Sequence, residues 1–163
     1  MRIISEGIKG STTEGTENTE RRDFEEGSKV KTADRTNMSD EQINRITGGI
    51  IGAAIEVHRT LGPGLLESAY KACLVHEWKQ QGFEVEQEKS LPVVYKGLTL
   101  DCGYRVDLLV ARLVMVELKS VSELTPLHEA QLLSYLKLSG CPVGLLLNFH
   151  VRQLTTGIKR MRV

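Results

Sequence analysis

The sequence has few of the features that mark several large classes of protein. Only 5% of its residues are aromatic, and its three cysteines form no CxxC pair. An odd cysteine count argues against a disulfide scaffold, and the four histidines do not lie at zinc-ligand spacing from the cysteines. No apolar run approaches the roughly 18 residues of a membrane helix. Because no signal-peptide pattern is present either, these absences predict a cytoplasmic protein that does not bind a membrane.

The chain also carries no net charge to indicate a partner. Its 21 basic and 21 acidic residues cancel, and 40% hydrophobic residues are typical of a globular domain. Residues 43–163 are mildly basic, with 14 Lys or Arg against 11 Asp or Glu. This balance is compatible with nucleic acid, but no basic stripe with interleaved aromatics points to it.

Composition divides the chain in two. Residues 1–40 are rich in Gly, Ser, Thr and Glu and have no apolar periodicity. Such a segment buries too little surface to offset its ordering entropy, so we predict a disordered tail at 1–40 and a folded domain at 41–163. A translation start at Met38 is an alternative that the sequence leaves open.

Three amphipathic helices are predicted in the domain. Apolar residues recur at helical spacing from 43 to 61, where Gly62-Pro63-Gly64 ends the first helix. A second helix covers about 65–81. Thr125 and Pro126 suit the start of a third, which ends at Gly140. Its predicted apolar stripe contains Leu127, Gln131, Ser134 and Leu138.

The remaining segments predict strands. Residues 83–88, 91–95 and 98–102 are short candidates, and 143–149 is apolar enough for a strand buried on both faces. Residues 104–110 and 114–119 read as a hairpin. Residues 151–163 predict an edge strand or a short helix. The order α, α, β-rich, α, β predicts an α/β fold with helices packed on a mixed sheet.

The hairpin concentrates charge on one face. Strand alternation places Glu117 and Lys119 together, and a three-residue turn pairing Val110 with Val114 sets Asp107 opposite Glu117. A two-residue turn would separate the carboxylates onto opposite faces. Opposed carboxylates repel each other, and a divalent cation with hard oxygen ligands would offset the repulsion. The alternative is a solvated face on which Lys119 simply pairs with Glu117.

Three motifs in this region resemble those of a known group of enzymes. Asp107, followed after nine residues by the tripeptide ELK at 117–119, resembles the core of the PD-(D/E)XK nucleases. Residues 131–135 (QLLSY) resemble the QxxxY motif of their RecB-type branch. Residues 64–70 (GLLESAY) resemble the motif that names the GxxExxY proteins. The resemblance covers about 43–162, with Val106 where the motif's proline would stand.

The resemblance implies a restriction-endonuclease-like mixed β-sheet flanked by helices, and a metal-dependent nuclease that hydrolyses phosphodiester bonds of DNA or RNA, with DNA favoured. The implied cofactor is Mg²⁺ or Mn²⁺, held by Asp107, Glu117 and the Leu118 carbonyl, with Glu67 a further candidate ligand. The implied catalytic residues are Glu67, Asp107, Glu117, Lys119 and Gln131, with Tyr70 and Tyr135 in support.

Simpler interpretations exist for several of these residues. Glu67 suits a helix N-terminus through the helix dipole, and Gln131 suits a structural amide. Tyr70 is expected in the core. At the level of the whole protein, a non-catalytic nucleic-acid-binding or regulatory module, or a homodimeric partner-binding domain, would keep the same fold without the chemistry.

Overall fold

The computed structural model describes residues 38–163. The predicted tail of residues 1–40 lies outside the described residues, apart from its last three. The described chain folds into three α-helices, one 3-10 helix and seven strands. The helices are α1 (Asp40–Leu61), α2 (Glu67–Gln80), α3 (Pro126–Ser139) and the 3-10 turn Leu154–Gly157. The strands are β1 (Val85–Ser90), β2 (Val93–Tyr95), β3 (Leu98–Leu100), β4 (Arg105–Val110), β5 (Val114–Lys119), β6 (Val143–Asn148) and β7 (Ile158–Arg162).

Five strands form one mixed sheet in the order β1-β4-β5-β6-β7. β5 and β6 are parallel and are joined through α3, whereas the other neighbours are antiparallel. β2 and β3 form a separate two-stranded hairpin. Helices α1 and α2 pack on one face of the sheet and α3 on the other, so that two apolar clusters sandwich it. The predicted α/β architecture, a mixed sheet flanked by helices, is confirmed.

Helix α1 forms where the sequence gives it a cap and an apolar stripe. Ser39 and Gln42 make a reciprocal capping box at its start, and Gly62, with a φ of 71°, ends it. Its buried side chains include Ile43, Ile50 and Val57, which face the sheet. The first predicted helix is therefore confirmed.

The apolar stripe predicted for α3 is wrong. Leu127 is 76% exposed and Leu138 also faces solvent. The side chains that α3 buries are instead Leu132, Tyr135 and Leu136. Helix α3 has leucines on more than one side, so periodicity alone did not identify the side that meets the sheet. Gln131 consequently lies at the half-buried margin of the packed face, beside Leu132.

Strands β5 and β6, in the interior of the sheet, are the most deeply buried elements. All six residues of β6 are buried, as predicted for 143–149, and five of the six residues of β5 are buried. Only Lys119, at the end of β5, reaches partial exposure. Among residues 38–163, none of the helices combines the length and apolar character that crossing a bilayer requires.

Candidate active site

The β4–β5 hairpin has the predicted register. Val110 pairs with Val114 across a three-residue turn, in which Ala111 and Arg112 adopt φ values of 51° and 56°. The paired residues continue through Leu109–Met115 to Leu108–Val116, where the ladder between these strands ends. The next positions along the two strands are 107 and 117.

The carboxylates of Asp107 and Glu117 continue the pairing where the backbone ladder stops. The Asp107 N–H donates to Glu117 Oε1 at 3.4 Å, and the Leu118 N–H donates to Asp107 Oδ2 at 3.0 Å. Each carboxylate therefore accepts a hydrogen bond from the backbone of the other's strand. This reciprocal contact holds both acidic groups in the opening between β4 and β5, and the predicted convergence of the two side chains is present.

Glu117 is the most perturbed group of the site. Its side chain is 5% exposed. Burial, reinforced by the charge of Asp107, raises the pKa of Glu117 to about 7, and the Lys119 ammonium only partly opposes that shift. Lys119 Nζ lies 3.7 Å from Glu117 Oε2. The alternative of a solvated strand face is thereby excluded for Glu117, since this carboxylate lies in the interior.

Glu67 joins the site through the backbone that follows β5. It is the first residue of α2, and its Oε1 accepts a hydrogen bond from the Ser120 N–H at 2.8 Å. Ser120 Oγ donates in turn to the Leu65 carbonyl at 3.1 Å. Glu67 thus fixes the residue next to Lys119, and this hydrogen bond ties its carboxylate to the backbone after β5.

Tyr70 braces the connection between α1 and α2. Its side chain is fully buried and its ring stacks on Phe149 with centroids 4.2 Å apart. Its hydroxyl donates to the Gly62 carbonyl at 2.6 Å and accepts from the Leu65 N–H at 3.1 Å. The expectation of a core tyrosine is confirmed, and its hydroxyl is used by the α1–α2 loop.

Gln131 and Tyr135 form a pair on α3. Gln131 Nε2 donates to Tyr135 Oη at 2.8 Å, the contact expected for residues four apart on a helix. The Tyr135 ring also meets Tyr104, with centroids 6.1 Å apart. The bonds described for residues 38–163 connect Gln131 to Tyr135 and not to Asp107, Glu117 or Lys119.

Two charged residues that the sequence analysis did not select also belong to this site. Lys71 Nζ lies 2.7 Å from Asp107 Oδ1 and also contacts Glu88 of β1. Burial lowers the pKa of Lys71, but hydrogen bonds to Asp107 and Glu88 outweigh that effect and raise it. The spacing of Glu67 and Lys71, one helical turn apart, was a signal that both share one side of α2.

The oxygen atoms of the hairpin suit a divalent cation. N–H and C=O groups of one strand residue point to the same side, so the Leu118 carbonyl faces the same opening as its N–H. Two carboxylates and a carbonyl are the hard ligands that Mg²⁺ and Mn²⁺ prefer. Within residues 38–163 no three Asp, Glu, His or Cys side chains converge as a metal-binding group, and the hairpin itself brings together the carboxylates of Asp107 and Glu117.

Comparison with known families agrees with this geometry. The model of the PD-(D/E)XK nuclease superfamily matches residues 44–161. The chain therefore belongs to the PD-(D/E)XK nuclease superfamily, and its mixed sheet flanked by helices is the restriction-endonuclease-like fold predicted from the sequence. No curated protein and no solved structure matches the chain. Membership implies nucleic acid as the class of substrate.

Proposed function

We propose that this protein is a divalent-metal-dependent nuclease that hydrolyses phosphodiester bonds, with its active site in the opening between β4 and β5. The observation that carries the proposal is the buried Glu117 carboxylate beside Asp107. Two adjacent acidic groups, one of them almost fully buried, are unfavourable in a resting fold. Lys71 and Lys119 supply part of the compensating charge, and a bound divalent cation would supply the rest.

Asp107, Glu117 and the Leu118 carbonyl would hold Mg²⁺ or Mn²⁺, with Glu67 as a further candidate ligand. Such a cation, when bound, lowers the pKa of a water molecule and stabilises negative charge on a phosphate. The protein's own contribution is to fix the oxygens. Asp107 and Glu117 are each held by a backbone N–H of the neighbouring strand, which preorganises them before any ligand arrives.

Lys119 places a positive charge at the mouth of the same opening. Its ammonium group is near Glu117 Oε2 and is partly exposed, so it can reach both the acidic pair and a phosphate arriving from solvent. We assign it to orienting the attacking water and neutralising charge that develops on the phosphate. Glu67 acts on Lys119 indirectly, because it anchors the adjacent Ser120 backbone.

Gln131 would bind the substrate phosphate or a water molecule near the site. The Tyr135 hydroxyl accepts a hydrogen bond from the Gln131 amide nitrogen, and this contact within α3 fixes the orientation of the amide. Helix α3 packs on the sheet face that carries Met115, two residues before Glu117 on the same side of β5. Gln131 is therefore on the helix that covers the sheet face to which Glu117 belongs.

The finer classification is part of the proposal. We assign the chain to the GxxExxY group and to the RecB-type branch, with DNA favoured over RNA and a cytoplasmic location. The contacts give the GxxExxY motif a physical meaning, because its Glu67 holds the segment after β5 and its Tyr70 holds the α1–α2 loop. The motif thereby ties α2 to the strand that carries the acidic and basic pair.

The test is a cleavage assay with single- and double-stranded DNA and RNA, with Mg²⁺ or Mn²⁺. The Glu117→Gln and Lys119→Met variants are each expected to lose at least about 100-fold in rate, because one removes ligand charge and the other removes the nearby cation. Glu41→Gln, at an exposed position of α1, is the matched control and should retain wild-type activity.

Three results separate this proposal from its alternatives. Cleavage that survives Glu117→Gln would assign the activity to another site or to a contaminant. Nucleic-acid binding without cleavage in any metal would favour the regulatory or binding module. A stable dimer that binds neither metal nor nucleic acid, measured by sedimentation and calorimetry, would favour the partner-binding domain.

A further inference from the structure

A row of three acidic residues crosses the sheet at the site, and one lysine lies over two of them. The β1–β4 register pairs Gln87 with Leu108 and Lys89 with Val106, which places Glu88 opposite Asp107. Glu117 lies on the other side of Asp107. Lys71 approaches from α2 and contacts both Glu88 and Asp107 Oδ1.

The backbone of β1 is distorted at the position that carries the outer carboxylate. Glu88 adopts a φ of 48°, the left-handed region that is unfavourable for residues other than glycine, although its neighbours on both sides remain paired with β4. Strain of this kind is informative when it coincides with a charged contact at a site. Here it coincides with the contact between Glu88 and Lys71.

The two oxygens of Asp107 have different partners. Oδ2 accepts from the Leu118 N–H and so belongs to the framework of the hairpin. Oδ1 is bound by Lys71. A divalent cation at Asp107 and an ammonium group on the same carboxylate would repel each other strongly at such separations. A cation that binds at Oδ1 would displace the ammonium group from that oxygen, while Oδ2 keeps the carboxylate in place.

We propose that Lys71 is a resident counter-ion, which neutralises Asp107 in the metal-free protein and withdraws to Glu88 when a divalent cation binds. The inference rests on the proposed function. Lys71 is 19% exposed and already contacts Glu88, so the withdrawal requires the loss of one contact and not a new position in the fold. Lys71 is thus a positioning residue that sets the affinity for metal, and Glu88 is the partner that receives it.

The test is calorimetric titration of the metal-free protein with Mg²⁺ and with Mn²⁺. Lys71→Met removes the competing cation and should tighten binding by about tenfold. Glu88→Gln leaves Asp107 as the remaining carboxylate partner of Lys71. Because the lysine then competes more strongly with the metal for Asp107, this variant should weaken metal binding by about tenfold. In the double variant the effect of Glu88→Gln should fall below about twofold, because no lysine remains to be received. Lys79→Met, an exposed lysine on the same helix, is the matched control and should bind as wild type.

The opposite signs of the two single variants distinguish this mechanism from a purely structural role, which would weaken binding in both. Equal affinity of Lys71→Met and wild type would overturn the inference and leave the metal site intact. An effect of Glu88→Gln that persists in the double variant would overturn it as well, since Glu88 would then act on the metal directly. Binding that appears only in Lys71→Met would support it.

Absence of binding in every variant, including Lys71→Met, would overturn the proposed metal site together with this inference. Thermal denaturation of each variant checks that the titrated protein is folded. Lys71→Gln is the second variant if Lys71→Met does not fold, because it removes the charge and keeps a hydrogen-bond donor for Asp107; its metal affinity should also rise. A structure with Mn²⁺ bound should show Lys71 on Glu88 and away from Asp107.

Discussion

Replacement of Glu117 by glutamine should stabilise the metal-free protein while it removes the proposed activity. The pKa of Glu117 is raised from 4.5 to about 7 in the fold. Between those two pH values the folded protein holds a proton that the unfolded chain has released, so the free energy of unfolding falls as the pH rises. The difference amounts to roughly 3 kcal/mol at pH 8 and to less than about 1 kcal/mol at pH 5.

Glutamine removes that cost because it has no charge to desolvate, and its side-chain oxygen can still accept the Asp107 N–H. Urea denaturation in the presence of a chelator should therefore show Glu117→Gln more stable than wild type by roughly 3 kcal/mol at pH 8, with the gain nearly lost at pH 5. Glu41→Gln should change stability by less than about 0.5 kcal/mol at either pH.

Saturating Mg²⁺ should stabilise wild type and leave Glu117→Gln unchanged, because only a fold that binds the ion gains stability from it. A gain for Glu117→Gln of equal size at pH 5 and pH 8 would refute the reasoning, since ionisation of a buried carboxylate would then not be its source. No gain at pH 8 would show that Glu117 is compensated by its surroundings without metal.

Five further substitutions, two of them controls, test the packing and hydrogen bonding around the site, each by urea or thermal denaturation. Gly144→Ala should destabilise the protein by about 1–3 kcal/mol, because its new Cβ would stand 2.8 Å from Leu132 Cδ1. Gly48→Ala, at an open position of α1, should instead stabilise the protein by about 0.5–1 kcal/mol. Equal effects of the two substitutions would contradict the packing argument. Tyr70→Phe should cost about 1–2 kcal/mol, since the α1–α2 loop loses both hydrogen bonds to the hydroxyl. Glu67→Ala should lower the free energy of unfolding by about 1–2 kcal/mol, because it leaves the Ser120 N–H without its acceptor. Glu67→Gln should cost less than half as much, since its side-chain oxygen can still accept that hydrogen bond. Similar losses of stability in both variants would mean that the charge of Glu67, and not its hydrogen bond, matters.

The hairpin could be predicted because its physics is local. Strand alternation and a three-residue turn suffice to set Asp107 opposite Glu117, and a one-residue slip would have placed apolar side chains in solvent. The burial of residues 143–149 could likewise be predicted from their apolar composition. In both cases the residues that determine the structure lie within one short segment of the sequence.

What could not be predicted depends on contacts between distant segments. Lys71 and Glu88 are far apart in the sequence, and only the packing of α2 against the β1 side of the sheet brings them together at Asp107. The side of α3 that meets the sheet depends in the same way on its partner. Leucines at 127 and 138 satisfy a helical stripe as well as those at 132 and 136, and periodicity does not rank them.

The end of the backbone ladder at Leu108–Val116 has a practical consequence for anyone who dissects this protein by mutation. Beyond that point the acidic side chains serve as main-chain acceptors, so truncation of either one also unpairs an amide of the adjoining strand. An alanine at 107 or 117 would confound chemistry with folding. Isosteric amides keep an acceptor for the main-chain N–H and remove the charge, so they separate the loss of the carboxylate from the loss of strand pairing.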